Sequence, residues 1–486
     1  MSNKILINAV DPEECRIAKV TDSKLEEFHI ESAAREITHG NIYKGVITRV
    51  EPGLQSVFVD YGAEKNGFLP KNDIHQDYYQ DDLSGHGSIN NILKPNQELF
   101  VQVVKDPIMK KGAMLTTYIS LPGRYLVLMP GSKNRGISRK IEEEKERARL
   151  KDILYKMKIP EEFGVIVRTA GIKATKTFLS RDIRYLLRLW KNIKKIGLTA
   201  SSPSILYKER NLVFRSIRDY LTEDVSEILI DDATVFNEVK GFINIIAPRH
   251  AKIVRHYKGP KPIFTKNQLE RQIASIFENR VEMKSGGSIV IDQTEALVAI
   301  DVNSGKAIRN RSVEETAFQT NVEAAEEIAR QLRLRDLGGL IVIDFIDMKD
   351  SKHKSEVERT LKMHIKADKA RTTVGRISRF GLLEMSRQRI RPSIDYGSHT
   401  VCEHCGGKGL KPSTETLALA FLRKLSLDTL KPDITNVKGI VPAKVADYLL
   451  NRKRKEILEL EMRREVGIRI EGDINMLTMQ SEIICE

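Results

Sequence analysis

Ala299-Ile300-Asp301-Val302-Asn303-Ser304-Gly305 is a short apolar strand pattern ending in polar residues. Ile341-Val342-Ile343-Asp344-Phe345-Ile346-Asp347 repeats the arrangement further along the chain. Side chains alternate along a strand, so Asp301 and Asn303 share one face while Val298, Ile300 and Val302 fill the opposite, buried one. Asp344 directly continues its apolar run; Asp347 follows a break and is read as a cap on the next segment. A carboxylate at a strand end is held rigidly, and two on neighbouring strands can bring their oxygens into one pocket. Hard oxygen donors so arranged suit Mg²⁺, which keeps several waters and takes one or two carboxylates plus a phosphate. The plainer reading is that two unrelated acids cap two strands.

Working outward, Gly286-Gly287 opens a hairpin that pairs 288–292 with 296–302. A long helix is expected from about 313 to 335, stopped by Gly338-Gly339, then a strand over 340–344 and a helix near 354–370. Upstream, from about 211 to 280, the pattern is α/β and ends in a helix carrying Leu269, Ile273, Ile276 and Phe277 on one stripe. Two charged helices are expected near 141–157 and 178–196, and Ser201-Ser202-Pro203-Ser204 marks a boundary. Between 41 and 104, short alternating strands punctuated by Pro52-Gly53 and Gly67 suit a small closed barrel of the OB type. In Val57-Phe58-Val59 the valines face one way and Phe58 the other, so Phe58 is a candidate outward ring, with Phe68 its partner in base stacking. The alternative is that both rings are core. Residues 1–34 read as short strands that look incomplete as a domain.

Composition narrows the chemistry. At 486 residues the chain is long enough for several domains of roughly 100–200 residues each. It holds 80 Lys and Arg against 66 Asp and Glu, a net charge of +14 that favours a polyanionic partner. With a basic chain beside paired carboxylates, the natural phosphate is a nucleic-acid backbone, and the reading is a metal-dependent nuclease. Such a metal lowers the pKa of a bound water and neutralises phosphoryl charge, a route that leaves a 5′-phosphate and a 3′-hydroxyl. None of the ten histidines flanks either aspartate, no GxSxG elbow is present, and no GxxxxGK[ST] loop supports ATP-driven work. The N-terminal apolar run is too short for a signal peptide, and no stretch approaches the roughly 20 apolar residues of a membrane span.

Four cysteines make no disulfide framework, so a cytoplasmic location is expected. Cys402-Glu403-His404-Cys405-Gly406-Gly407-Lys408-Gly409 looks like one knuckle of a zinc ribbon. Structural zinc is almost always four-coordinate, and one CxxC supplies two thiolates. The missing ligands would be His404 or His399, or the same CxxC of a second subunit, which would make zinc a dimer clasp. Redox chemistry is the alternative, although a thioredoxin-type CxxC belongs near a βαβ unit and not in a Gly-rich loop.

These motifs together resemble the bacterial ribonuclease E/G family, nearly end to end. The most specific runs are Asn41-Ile42-Tyr43-Lys44-Gly45, Ala299 to Ser304, Ala329-Arg330-Gln331-Leu332-Arg333-Leu334-Arg335-Asp336-Leu337-Gly338-Gly339, Ile343 to Met348, and Arg379-Phe380-Gly381-Leu382-Leu383-Glu384-Met385. The resemblance implies a multidomain α/β architecture: an RNase-H-like domain in two parts (1–35 and 215–278), an S1-type OB-fold (36–118), a 5′-monophosphate sensor (119–214), a DNase-I-like catalytic subdomain (279–398), a zinc link (399–414) and a small C-terminal α+β domain (415–486). Asp301 and Asp344 would ligate Mg²⁺ with Asn303 assisting. Phe58, Phe68 and Lys111 would face RNA, which favours the outward reading of the rings. Gly123, Val127, Arg168 and Thr169, with Arg371 reaching over, would bind a terminal phosphate; a guanidinium is a planar bidentate donor for that group. Cys402 and Cys405 would hold an intersubunit Zn²⁺ in a homodimer or a dimer of dimers.

The implied activity is a single-strand-specific endoribonuclease that cleaves A/U-rich RNA in rRNA and tRNA maturation and mRNA decay. Ending at Glu486, the chain is expected to lack the long disordered arm of the larger family members. Its length suits the shorter members, while Gly439-Ile440-Val441-Pro442 and Tyr448-Leu449-Leu450-Asn451 look more like the longer ones. The competing class is an RNA-binding protein without catalysis, which would have no need of paired carboxylates.

Overall fold

A computed structural model of the chain describes residues 2–32, 38–79, 89–107, 112–305, 312–389, 394, 399–431 and 434–485. It forms two compact units, Met1–Tyr396 and Gly397–Glu486.

In the larger unit, the N-terminal strands find their missing partners far along the chain. Asn3–Asn8 runs parallel to Val225–Ile230 and antiparallel to Glu14–Thr21, in a five-stranded sheet completed by Lys24–Ser32 and Val254–His256. Ile5 and Ile7 pack on one face with Ile217, Val239 and Ile243, while Leu6 and Ala18 pack on the other with Phe264 and Leu269. A sheet covered on both faces explains the unbroken apolar run Ile5-Leu6-Ile7. The stripe Leu269, Ile273, Ile276 is buried as the periodicity predicts, but its single helix is instead two short ones, Ile263–Lys266 and Glu270–Ala274. The chain breaks at Gln268, whose φ is +57°.

The second sheet closes on itself, because Ile42–Glu51 pairs with Ser56–Asp60 on one side and Glu98–Lys105 on the other. Gly45 makes the closure possible: a Cβ there would lie 2.6 Å from a Val59 methyl carbon. Ile47, Val57, Val59, Leu69, Val101 and Leu115 fill the interior. A small four-stranded sheet follows, built from Leu121–Pro122, Leu126–Pro130, Arg135–Ile137 and Phe163–Val167. Its core is shared with the helices Glu144–Tyr155 and Lys176–Thr199.

The sheet that carries the two aspartates has six strands, in the order Arg280–Glu282, Ser288–Gln293, Leu297–Asn303, Gly339–Asp344, Leu382–Arg387, Thr372–Ile377. Helices Val313–Leu334 and Ser351–Ile365 cover one face, burying Ile289, Val298, Ile300, Ile341 and Ile343 against Ala324, Ile328 and Leu361. The first begins with a serine N-cap, Ser312 Oγ accepting from the Glu315 N–H. The second starts at Ser351, not 354, because Asp350 and not Asp347 is its cap.

The smaller unit pairs Asn436–Pro442 in parallel with Gly467–Asp473 and antiparallel with Glu482–Cys485. Helices Ala443–Arg452 and Arg454–Arg464 make the crossover, and Thr414–Asp428 contributes Phe421 and Leu425 to the core. Among the described residues no helix is long and apolar enough to cross a membrane.

Candidate functional site

Leu297–Asn303 and Gly339–Asp344 are parallel neighbours, and their register sets Asp301 directly beside Asp344. Adjacent strands lie about 4.8 Å apart, so the two carboxylates leave the same, helix-free face side by side. Both residues are exposed, while their neighbours Ile300, Val302 and Ile343 are buried. Asn303 Nδ2 donates to Asp301 Oδ2 at 2.7 Å, fixing one carboxylate and leaving the other free of the amide. Gly381, at φ +82°, brings its loop against the pair: a Cβ there would lie 3.3 Å from Asp347 Oδ1 and 3.9 Å from Asp344 Oδ1. Asp347 thus lies at the edge of this site, and it was not a ligand in the sequence reading.

Among the described residues no lysine or arginine forms an ion pair with Asp301 or Asp344, and no third His, Cys, Asp or Glu closes a cage around them. Two adjacent carboxylates open to solvent, with no ion-pair partner among the described residues, are a donor set that fits Mg²⁺, which binds through few protein oxygens and keeps its waters.

Phe58 and Phe68 pair directly across their strands, half-buried on the outside of the barrel, with ring centroids 6.0 Å apart and planes at 67°. Val57, Val59 and Leu69 take the interior, so the reading that places both rings in the core does not hold. Lys111 lies outside the described residues.

The residues matched to a phosphate sensor gather around a tight loop. Gly123 N donates to the Leu126 carbonyl at 2.8 Å, and Asp182 accepts from the N–H groups of Arg124, Tyr125 and Leu126. A Cβ on Gly123 would fall 2.5 Å from Asp182 Oδ2, so only glycine fits. Burial pushes the Asp182 carboxyl up, against the pull of those three N–H groups. Arg168 is held from two sides: one guanidinium nitrogen donates to the Gly123 carbonyl at 2.7 Å and another to Asp219 Oδ1 at 2.6 Å. Burial works to raise the Asp219 carboxyl, but Arg168, Arg218 and Lys369 outweigh it and hold the group well below the usual carboxylate range. Val127 is half-buried on the adjoining strand, and Thr169 is exposed at the next turn.

Arg371 immediately precedes the Thr372–Ile377 strand of the sheet that carries the two aspartates, and a run of bonds brings its segment to this loop. Lys140 Nζ donates to the carbonyls of Asp368 and Ala370, and Lys369 Nζ donates to the Asp219 carbonyl while sitting 2.9 Å from the centre of the Tyr220 ring. Asp182, Asp219, Lys140 and Lys369 were all absent from the sequence reading. A signal for Asp182 alone was available, since it is the one acid within the apolar stripe Leu179, Ile183, Leu186.

In the smaller unit, Cys402 and Cys405 occupy a tight turn in which Gly406 N donates to the Cys402 carbonyl and Lys408 N to that of Cys405. The Gly409 N–H, with those of Gly407 and Lys408, lowers the Cys405 thiol below its ordinary pKa. The turn precedes a helix but follows no strand of the parallel pair, unlike a redox CxxC. His404 Nδ1 lies 3.1 Å from Thr478 Oγ1. Two thiols of one chain, half of a tetrahedral set, fit zinc shared with a second copy. Cys15, by contrast, is a core thiol that burial pushes up to about 12.

Three family models match the chain: the Ribonuclease E/G family over residues 120–390, the RNase E/G thioredoxin-like domain over 401–485, and the S1 RNA binding domain over 36–106. Ribonuclease E of Haemophilus influenzae is 48% identical over 468 residues, covering 96% of this chain and 50% of that protein. Ribonuclease E of Escherichia coli is 47% identical over 470 residues, 96% of this chain and 44% of that one. Ribonuclease G of Escherichia coli is 37% identical over 478 residues, 97% of each. The chain therefore spans about half the length of the ribonuclease E relatives and nearly all of ribonuclease G.

Proposed function

Because the chain belongs to the ribonuclease E/G family, we propose that it is a Mg²⁺-dependent, single-strand-specific endoribonuclease. In this reading it cleaves A/U-rich RNA to 5′-phosphate and 3′-hydroxyl ends, in rRNA and tRNA processing and mRNA decay in the cytoplasm. The observation that carries the proposal is the register match of Asp301 and Asp344 on an open sheet face.

Asp301 and Asp344 would hold the metal, and Asn303 orients Asp301 through its 2.7 Å hydrogen bond. Bound Mg²⁺ supplies an activated water and neutralises charge on the phosphoryl oxygens. In this reading water is the nucleophile at phosphorus and the 3′-oxygen leaves as a hydroxyl after taking up a proton, so the RNA 2′-hydroxyl takes no part in the displacement. Phe58 and Phe68, with Lys111, stack and steer single-stranded bases, a duplex having no free ring faces to offer. Gly123, Val127, Arg168, Thr169 and Arg371 receive a 5′-monophosphate, and the narrow loop rejects the extra bulk of a triphosphate. Cys402 and Cys405 of two copies would supply the four thiolates of one structural Zn²⁺, and the enzyme would then be a homodimer or a dimer of dimers.

The test is cleavage of a short A/U-rich RNA in Mg²⁺, bearing either a 5′-monophosphate or a 5′-triphosphate, by wild type and Asp301→Asn. Faster cleavage of the monophosphate, lost in the variant with RNA binding retained, is expected. Cleavage without end preference removes the sensor assignment. Binding without cleavage by wild type makes the chain an RNA-binding protein and ends the nuclease reading.

A further inference from the structure

The Lys176–Thr199 helix places Arg181, Arg184 and Arg188 at the three- and four-residue spacing that lines side chains along one helix face. With Tyr125, Phe178 and Tyr185 they border an open cavity of about 820 Å³, within the roughly 300–1,000 Å³ typical of ligand sites. Its far wall is the end of the Ala233–Ile246 helix and Pro248.

The arginines are exposed and the rings half-buried. Arg184 Nε reaches only the Ser180 carbonyl of its own helix, and among the described residues no carboxylate pairs with any of the three. The single acid of the wall, Asp182, is buried and occupied by the backbone of residues 124–126. Positive charge here is therefore uncompensated. Phe178 already carries a guanidinium, that of Arg249, 5.0 Å from its ring centre, and lies 6.1 Å from Tyr125.

We propose that this cavity is a second RNA-binding site, holding a few nucleotides of single-stranded RNA apart from the barrel rings and the Arg168 loop. The inference rests on the RNA-cleaving reading above. Planar rings beside fixed guanidinia match a polynucleotide, with bases against Tyr125, Phe178 or Tyr185 and phosphates against the arginine row. From Arg181 to Arg188 the helix rises about 10 Å, the length of roughly three stacked nucleotides. The site adjoins the sensor loop, since Arg168 N donates to the Tyr125 carbonyl at 2.8 Å while the Tyr125 ring lines the cavity. A substrate strand engaged here is anchored independently of its 5′ end.

The test uses the full chain carrying Asp301→Asn and a 5′-hydroxyl oligoribonucleotide with 4-thiouridine. Combined Arg181→Ala, Arg184→Ala and Arg188→Ala is compared with Lys191→Ala, Lys194→Ala and Lys195→Ala, which removes equal charge from the exposed end of the same helix. The arginine variant is expected to bind about tenfold more weakly at physiological salt, with a salt slope shallower by about 2; the lysine variant should change less than about threefold. Phe178→Leu, which keeps every charge, is expected to lose about tenfold through stacking. Photocrosslinks should map to Tyr125, Phe178 or Tyr185. Equal binding by the arginine and lysine variants, with no crosslink at those rings, overturns the site. Cleavage by the unsubstituted chain is run alongside: if it cleaves while the arginine variant binds normally, only this site fails. If it neither binds nor cleaves RNA, the nuclease reading fails first and this inference with it.

Discussion

Asp368→Ala probes the joint between the Arg168 loop and the sheet that carries Asp301 and Asp344. Asp368 and Arg387 are nearly inaccessible, with side chains 3% and 2% exposed. Arg387 grips the carboxylate with a fork, Nε to Oδ2 at 2.6 Å and Nη2 to Oδ1 at 3.1 Å, while Nη1 donates to the Leu337 carbonyl. Asp368 Oδ1 also accepts from the Ala370 N–H, which shapes the segment leading to Arg371. Truncating Asp368 leaves a guanidinium buried with a single backbone partner. Breaking a buried pair from one side costs about 3–5 kcal/mol, because the surviving charge stays desolvated. Asp368→Ala with Arg387→Met removes both charges and refills the volume, so the double variant should lose only about 1–2 kcal/mol. Urea unfolding of the full chain at neutral pH and fixed concentration, read as a double-mutant cycle, gives the coupling directly. Arg387 ends the strand that pairs with Gly339–Asp344, so the single variant should also cleave more slowly. A loss under about 1 kcal/mol for Asp368→Ala, or a double variant no more stable than the single, refutes the argument that a desolvated pair ties this segment to the sheet.

Four other outcomes follow from the geometry. Asn303→Ala frees the Asp301 carboxylate and should cost about 10–100-fold in Mg²⁺ affinity or cleavage rate, measured by Mg²⁺ titration of activity. Gly123→Ala drives a methyl into Asp182; it should destabilise the sensor loop by about 1–3 kcal/mol and erase any preference for a 5′-monophosphate, seen in competitive cleavage. The unsubstituted protein is expected to carry about one zinc ion per two chains, and Cys405→Ser should abolish that binding and shift sedimentation towards the monomer, read by metal analysis and analytical ultracentrifugation. Asp219 has a folded pKa below its unfolded value of about 3.9, so its stabilisation is complete above that pH and is lost as pH falls towards the folded value. Asp219→Asn should therefore flatten the acid limb of the stability profile and leave the slope between about pH 6 and 9 unchanged, checked by urea midpoints across pH.

Period-two alternation assigned Asp301 and Asn303 to the polar face of one apolar strand, and likewise turned Phe58 away from Val57 and Val59; Asp344 was legible only as the acid that ends an unbroken apolar run. Those are local facts, carried by neighbours two residues apart. The CxxC and its glycines were legible for the same reason. Less was legible around Arg168. Its partner Asp219 lies near the end of an amphipathic helix whose pattern marks the buried face and not which acid will meet an arginine, and Lys140 and Lys369 act through backbone carbonyls, which no side-chain sequence records.

By itself, then, the sequence determined which residues could carry chemistry and which face of each element they occupy, because alternation and charge depend on adjacent positions. Only the tertiary structure decided which of them meet. Asp301 and Asp344 stand together because a 22-residue helix returns the chain for a parallel pairing. The burial of Val298, Ile300, Ile341 and Ile343 then locks the register; a slip of one residue would turn one aspartate into the core. Asn3–Asn8 gains its second neighbour, and the sheet its parallel half, only when Val225–Ile230 arrives, and Asp368 becomes structural only once Arg387 is buried against it. Such pairings join residues remote in the chain, and it is packing that selects them.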